Sequence, residues 1–359
     1  MLFDAFSLGP ITLKNRIVMA PLTRNRADAD HIPTPIMAEY YAQRATVGLI
    51  VTEGTSPSPN GLGYPRMPGL FDARHVAAWR LITDAVHAQG GKIFVQLMHT
   101  GRASHSVNMP AGAEVVSSTG AALAGDMWTD ALGMQAPTAP RAMTDADITA
   151  AIAEHVRAAT LAIEAGFDGV ELHGANGYLI EQFLNANVNT RTDAWGGSAE
   201  ARNRFALEVA KATVTAIGAD RVGIRLSPFG AFNGTGPFDG VDAQYVALAT
   251  ALGALKLAYL HLVDHSSMGA PVVPAEFKRA VRAAFGGALI ASGGFDKARA
   301  EQVLAAGEAD LVAFGRPALA NPDLVARMAS DLPLNPPDFT TFYTPGEKGY
   351  TDYAVSAAG

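Results

Sequence analysis

The stretch GFDGVELHGANGYLIEQFL, residues 166–184, decides how this chain is organised. Residues 167–172 form a short apolar run opened by Gly166, which reads as a buried strand. Polar chemistry starts where that strand stops. His173, Asn176 and Tyr178 fall within six residues, and Gly174 and Gly177 let the backbone turn sharply enough to aim all three side chains into one space. Taken singly, each residue suits a polar turn satisfied by backbone. Their clustering at a strand end is what points to a site.

Outward from this stretch, the same alternation of strand and helix recurs. Residues 16–20 are a β-branched run halted by Pro21, with a short extended piece at 11–13 before it. Residues 48–52 and 92–97 are further buried strands, and 221–226, 258–263, 287–292 and 310–314 follow the central one. Helical segments fall at 34–46, 72–89, 144–165, 198–217, 241–254, 274–285 and 297–306. The second of these stops at Gly90 and Gly91, and Thr144 supplies an N-cap for the third. Eight such units with buried parallel-type strands predict an α/β fold, a (β/α)8 TIM barrel in a single domain over residues 1–359. Residues 100–141 are rich in Ala, Gly, Pro, Ser and Thr without a sustained period. Too long for a plain connection, they predict a capping excursion or lid after the third strand.

Composition narrows the chemistry. The chain has 359 residues, 49% of them hydrophobic and 17% charged, enough to bury a large core. Its 27 Lys plus Arg against 34 Asp plus Glu leave a net charge of −7, which disfavours nucleic-acid and anionic-membrane partners. The absence of Cys excludes disulfides, thiolate metal sites and Cys nucleophiles. With neither a signal-like N-terminus nor a run of about 20 apolar residues, a cytoplasmic protein without membrane attachment is expected.

In a barrel of this kind the chemistry lies at the C-terminal ends of the strands. Those ends carry Thr23, Gly54, Gln96, His99, the 173–178 cluster, Arg225, Asp264, Ser292-Gly293-Gly294 and Gly315-Arg316. The last two pairings suit a phosphate, held by glycine amides and a fixed positive charge.

Several ordered motifs then give the chain a resemblance: KNRIVMAPLTR (14–24), EYYAQRA (39–45), QLMHTGR (96–102), GFDGVELHGANGYLIEQFL (166–184), RLSP (225–228), FGRP (314–317), NPDL (321–324) and GYTDY (349–353). With these it resembles the Old Yellow Enzyme family of FMN-dependent ene-reductases, including N-ethylmaleimide reductase-like members, over nearly its whole length. The resemblance implies bound FMN, NADPH or NADH as hydride donor, and reduction of enones, enals, maleimides or nitroalkenes by a monomer or homodimer. It places Pro21, Leu22, Thr23, Gly54, Gln96, Arg225, Gly293, Gly294, Gly315 and Arg316 around FMN. His173 and Asn176 would hold the substrate oxygen, and Tyr178 would supply the proton. Tyr64, Met98, Phe232 and Tyr343 would line the pocket, with Met98 standing where many members carry a bulkier Trp.

The residues also leave alternatives. Thr23 could cap a helix, Gln96 could be satisfied by backbone, Arg225 could be half of a buried ion pair, and Met98 could fill core. A Schiff-base aldolase is poorly served, because Lys92 and Lys256 precede their strands. A metal-dependent hydrolase would draw on His261, Asp264 and His265, although no metal site is expected. A non-enzymatic barrel that stores flavin or another phosphate ligand stands as a further alternative.

Overall fold

The computed structural model describes residues 1–356. Eight parallel strands close on themselves: β1 (Ile17–Met19), β2 (Leu49–Thr55), β3 (Ile93–Leu97), β4 (Gly169–Gly174), β5 (Val222–Leu226), β6 (Tyr259–Val263), β7 (Leu289–Ser292) and β8 (Leu311–Phe314). Each bonds to the next and β8 bonds back to β1, so no edge strand is left open. Between them run α1 (Pro35–Gln43), α2 (Ala73–Ala88), α3 (Asp145–Glu164), the short α4 (Leu179–Leu184), α5 (Ala199–Ile217), α6 (Val241–Ala254), α7 (Ala275–Phe285) and α8 (Lys297–Ala305). The expected (β/α)8 barrel is therefore present, with strand and helix limits displaced by only a few residues.

Local chemistry explains those limits. Thr144 Oγ1 accepts from the Asp147 amide at 3.2 Å while Asp147 Oδ2 accepts from the Thr144 amide at 2.7 Å, a reciprocal cap that starts α3. Asp72 caps α2 in the same sense through the amides of Arg74 and His75. Gly90, at φ 68°, takes the chain out of α2.

Three parts of the molecule were not resolved by periodicity. The piece at 11–13 is one arm of a hairpin, Phe6–Leu8 with Ile11–Leu13, that closes the N-terminal end of the barrel. Its Leu8 and Leu13 join Val18, Val51, Phe94, Tyr259, Ile290 and Leu311 in one apolar layer. The excursion after β3 contains a second hairpin, Met127–Thr129 with Gly133–Gln135, and a small parallel pair, Val116–Ser117 with Arg141–Ala142. A C-terminal strap, residues 339–350, crosses the opposite end. It is tied down by Arg24, which donates to the carbonyls of Phe342 (3.1 Å) and Gly349 (2.6 Å), and by Arg26, which donates to those of Thr341, Phe342 and Lys348. Among the described residues no helix is long and apolar enough to cross a membrane.

Candidate active site

The loop after β4 has the turn that its glycines require. Asn176 at φ 59° and Gly177 at 72° are both left-handed. A Cβ on Gly177 would lie 2.5 Å from the Phe232 carbonyl oxygen, so no larger residue fits there. The chain then enters α4 with Tyr178 at its cap position.

This geometry sets the state of each side chain. His173 Nδ1 accepts the Ala175 N–H at 3.3 Å, so a neutral ring carries its hydrogen on Nε2. Burial first, then the positive field of Arg225, holds the His173 pKa well below the ordinary histidine value. The ring is therefore a neutral donor. The buried Oδ1 of Asn176 meets no partner. Tyr178 packs edge-on against His173 with ring centroids 5.1 Å apart, and its hydroxyl lies 3.1 Å from that of Tyr64. Burial, followed by the neighbouring Tyr64, raises the Tyr178 pKa well above the usual phenol, while the Asn233 side chain pulls it the other way.

Tyr178 and Tyr64 face a cavity of about 1020 Å³. Thr23 and Asn233 line it from the barrel, Trp128 and Met134 from the cap hairpin, and Phe339 and Tyr343 from the strap. Arg66 laces these walls together. It contacts Asp130 of the hairpin, donates to the Tyr343 carbonyl at 2.9 Å and to the Asn25 carbonyl at 3.1 Å.

Below the loop, the barrel interior holds a buried polar cluster. Glu171 accepts from Gln96 Nε2 at 2.8 Å and from the Tyr259 hydroxyl at 3.1 Å, and His261 Nδ1 lies 2.8 Å from it. Burial pushes its pKa up, but His261 and Arg225 outweigh that and hold it below the ordinary value. Burial lowers the pKa of His261, so the pair is carboxylate and neutral imidazole, with Nδ1–H donating. Arg225 is paired in register with His173 across the β4–β5 ladder, and its buried Nε has no partner. Gln96 spends one of its two amide hydrogens on Glu171 and keeps the other and its carbonyl for a ligand.

The glycines at the strand ends are spaces more than turns. A Cβ on Gly54 would sit 2.4 Å from Met98, and one on Gly293, at φ 143°, would sit 2.2 Å from the Asp264 carbonyl. Gly315 opens beside Leu22. Glu53 fixes the neighbouring loop by accepting the amides of Arg24 (3.1 Å) and Asn25 (3.2 Å), which sets the chain around Thr23.

The structure thus brings Thr23, Tyr64, Tyr178 and Tyr343 to the cavity wall, with His173 packed against Tyr178 and Asn176 in the same loop but neither on that wall. It does not bring Met98 or Phe232 to the cavity wall. Met98 is 1% exposed and packs with Leu62, Met67, Met109 and Val115, as core filling. Phe232 stacks edge-on with His265 at 4.6 Å. The residues considered for a hydrolytic metal are engaged elsewhere, His261 with Glu171 and Asp264 with Lys278 at 2.6 Å. A second crevice of about 840 Å³ opens between α7 and α8, and its Lys278 and Arg282 are already paired with Asp264 and Asp310.

A family model described as NADH:flavin oxidoreductase / NADH oxidase matches residues 1–335. The chain belongs to that family. It is 46% identical to a chanoclavine-I aldehyde reductase of Penicillium roqueforti, covering 99% of this chain and 96% of that one. It is 41% identical to a probable flavin mononucleotide-dependent alkene reductase of Leishmania infantum, covering 96% and 95%. Among solved structures it superposes on morphinone reductase with a TM-score of 0.95 at 41% identity, covering 99% and 96%; that reductase has also been solved with tetrahydroNAD. The protein is thus an FMN-dependent oxidoreductase of the Old Yellow Enzyme type, supplied by a nicotinamide nucleotide.

The interior of this Old Yellow Enzyme fits the cofactor. A buried guanidinium whose Nε has no partner calls for an anionic or strongly accepting ligand edge, and the free Gln96 carbonyl calls for a ring N–H. Sequence reasoning passed over Glu171, Tyr259, Asn233 and Glu181, and weighed His261 only as a metal ligand. The signal was present in Glu171 and Glu181, acidic residues inside otherwise apolar runs, which need buried partners.

Proposed function

We propose that the protein reduces the C=C bond of alkenes activated by a carbonyl or nitro group, among them enones, enals, maleimides and nitroalkenes. FMN, when bound, supplies the hydride it has received from NADH or NADPH. Thr23, Gln96 and Arg225 would hold its ring, with Pro21, Leu22 and Gly54 around it, and Gly293, Gly294, Gly315 and Arg316 would take its phosphate end. The fixed positive charge of Arg225 would favour the reduced, anionic ring. His173 donates from Nε2 to the substrate oxygen, and Asn176 donates beside it, so both meet the negative charge that grows there. Tyr178 keeps its proton at neutral pH and releases it to the substrate α-carbon once that carbon has become a strong base. Tyr64 and Tyr343 wall the pocket. Met98 and Phe232 support it from behind.

The observation that carries this reading is the packing of Tyr178 on a neutral, Nε2-protonated His173 at 5.1 Å, with Tyr178 facing the cavity. A neutral donor and an acid held side by side suit an oxygen and a carbon of one conjugated substrate. The test is His173→Ala combined with Asn176→Ala. Loss of one such donor costs about 10²- to 10³-fold, so the pair should slow alkene turnover at least that much. It should also abolish the long-wavelength band of a bound phenolate while FMN stays in place. Undiminished phenolate binding and turnover would sink the reading.

A further inference from the structure

A carboxyl that no step above uses lies beneath the catalytic loop. Glu181, in the first turn of α4, is 0% exposed. Its Oε2 accepts the Gly177 N–H at 2.6 Å and the Ser227 hydroxyl at 3.1 Å. Ser227 Oγ in turn accepts the Asn176 N–H at 2.9 Å. One acid therefore fastens both left-handed residues of the loop, directly and through a serine two positions beyond Arg225. Asn233 Nδ2 holds the Asn176 carbonyl from the other side at 2.8 Å. Asn is one of the few non-glycine residues that enter the left-handed region, and the bonds to its N–H and carbonyl fix Asn176 there.

What faces Glu181 is uncharged. The Gly177 amide comes from the loop, the Ser227 hydroxyl from the end of β5 and the Tyr245 phenol from α6, and no titratable group of β4 or α5 is among those that act on it. Burial pushes its pKa up to about 8, against the pull of those three groups. The carboxyl of Glu181 is thus an acid without a counter-ion, directly beneath the loop that carries Asn176 and Tyr178.

We propose that Glu181 is a positioning residue that works as a neutral acid. Protonated, it holds Asn176 and Gly177 in the shape that presents the oxygen-binding pair. Ionised, it puts an unpaired negative charge beneath the site where negative charge develops, and the alkene half of the reaction slows. The proposal rests on the reductase reading and concerns the same site.

Glu181→Gln separates the two states, because its amide is a neutral copy of the protonated acid: its oxygen, in the place of Oε2, still accepts from the Gly177 N–H and the Ser227 hydroxyl. In stopped flow, reoxidation of the parent holoenzyme by an enone should fall about tenfold between about pH 6.5 and about pH 9, following the loss of that proton. The Gln variant should show no such fall. Reduction by the nicotinamide creates no anion at His173 and Asn176, so it should not share the fall in either protein. An equal alkaline fall in parent and variant, or an equal fall in both half-reactions, overturns the proposal.

Thermal unfolding supplies a readout independent of turnover. The folded pKa lies above the unfolded one, so the stability due to this proton is complete below the unfolded value of about 4.5 and is lost as pH rises through about 8. The parent's midpoint should therefore drop relative to the Gln variant across that window, and parallel profiles overturn the proposal. A protein that reduces no enone while showing this divergence would refute the reductase reading and leave Glu181 a neutral acid. Should the Gln variant fail to fold, Ser227→Ala cuts the link to Asn176 without touching the charge. It should slow the alkene step below the alkaline fall and move that fall to higher pH, because the Ser227 hydroxyl holds the Glu181 pKa down; an unchanged rate would overturn the positioning role.

Discussion

The two ends of the barrel are built from the same eight strands and put them to opposite use. At the N-terminal end, Leu8 and Leu13 of the hairpin close over Val18, Val51, Phe94, Ile290 and Leu311, an apolar layer that buries side chains, with Arg16 Nε beside Phe6 as the buried polar atom left without a partner there. At the C-terminal end, Arg225 Nε, Asn176 Oδ1 and His261 Nε2 are buried without partners. Such groups are met by a ligand when one is bound, so the mouth keeps polar capacity that the floor does not offer. Tyr259 belongs to both ends, its ring in the floor and its hydroxyl on Glu171. Stability and reactivity are thus separated along one axis only a few residues long. Mutations at the two ends should affect different measurements.

The largest expected effect is at the mouth. Tyr178→Phe deletes one proton and keeps the ring, so reoxidation by an enone should slow about 10²- to 10⁴-fold, while flavin reduction and the unfolding midpoint stay near the parent's. Nitroalkenes should suffer less, since their stable anion can collect its proton from water. Equal slowing of both half-reactions would show that Tyr178 shapes the mouth instead of feeding it a proton. At the floor, Phe94→Ala should cost about 3–5 kcal/mol of stability in denaturant titrations and leave turnover per bound FMN intact. A matching loss of turnover would show that the two ends are not independent.

Smaller effects sharpen the same contrast. Tyr64→Phe removes a hydrogen bond of about 0.5–1.5 kcal/mol from the Tyr178 hydroxyl. It should change the alkene step by at most about tenfold and lower the denaturant midpoint by no more than that bond contributes. Thr144→Ala removes the cap of α3 on the outer layer and should cost about 1 kcal/mol in unfolding with no kinetic trace.

Much of this contrast was legible in the sequence. The buried runs and the caps at Asp72 and Thr144 reveal the strand–helix alternation, and the strand ends locate the mouth. Which side chains face inward was harder to read, because strands buried on both faces lack the alternation that separates inside from outside. Met98 shows the consequence. It follows Gln96 by two positions, yet the strand ends at Leu97 and Met98 turns to fill the space beside Gly54. The Glu171 cluster joins β3, β4 and β6, a juxtaposition that only the closed barrel creates. The hairpin of Phe6–Leu8 and Ile11–Leu13 has arms too short to show any period.

The strap that closes the mouth is anchored in a particular way. Arg24 and Arg26 grip it by its carbonyl oxygens, at Thr341, Phe342, Lys348 and Gly349. Every residue type has that oxygen, so these bonds follow the path of the chain, while the rings of Phe342 and Tyr350 against the two guanidiniums are the part of the anchor that depends on side chains. Tyr343, 58% exposed between those grips, is free to become almost anything. The rim can therefore diverge from one descendant of this protein to the next, trading one guest for another, while the chemistry beneath it is inherited unchanged.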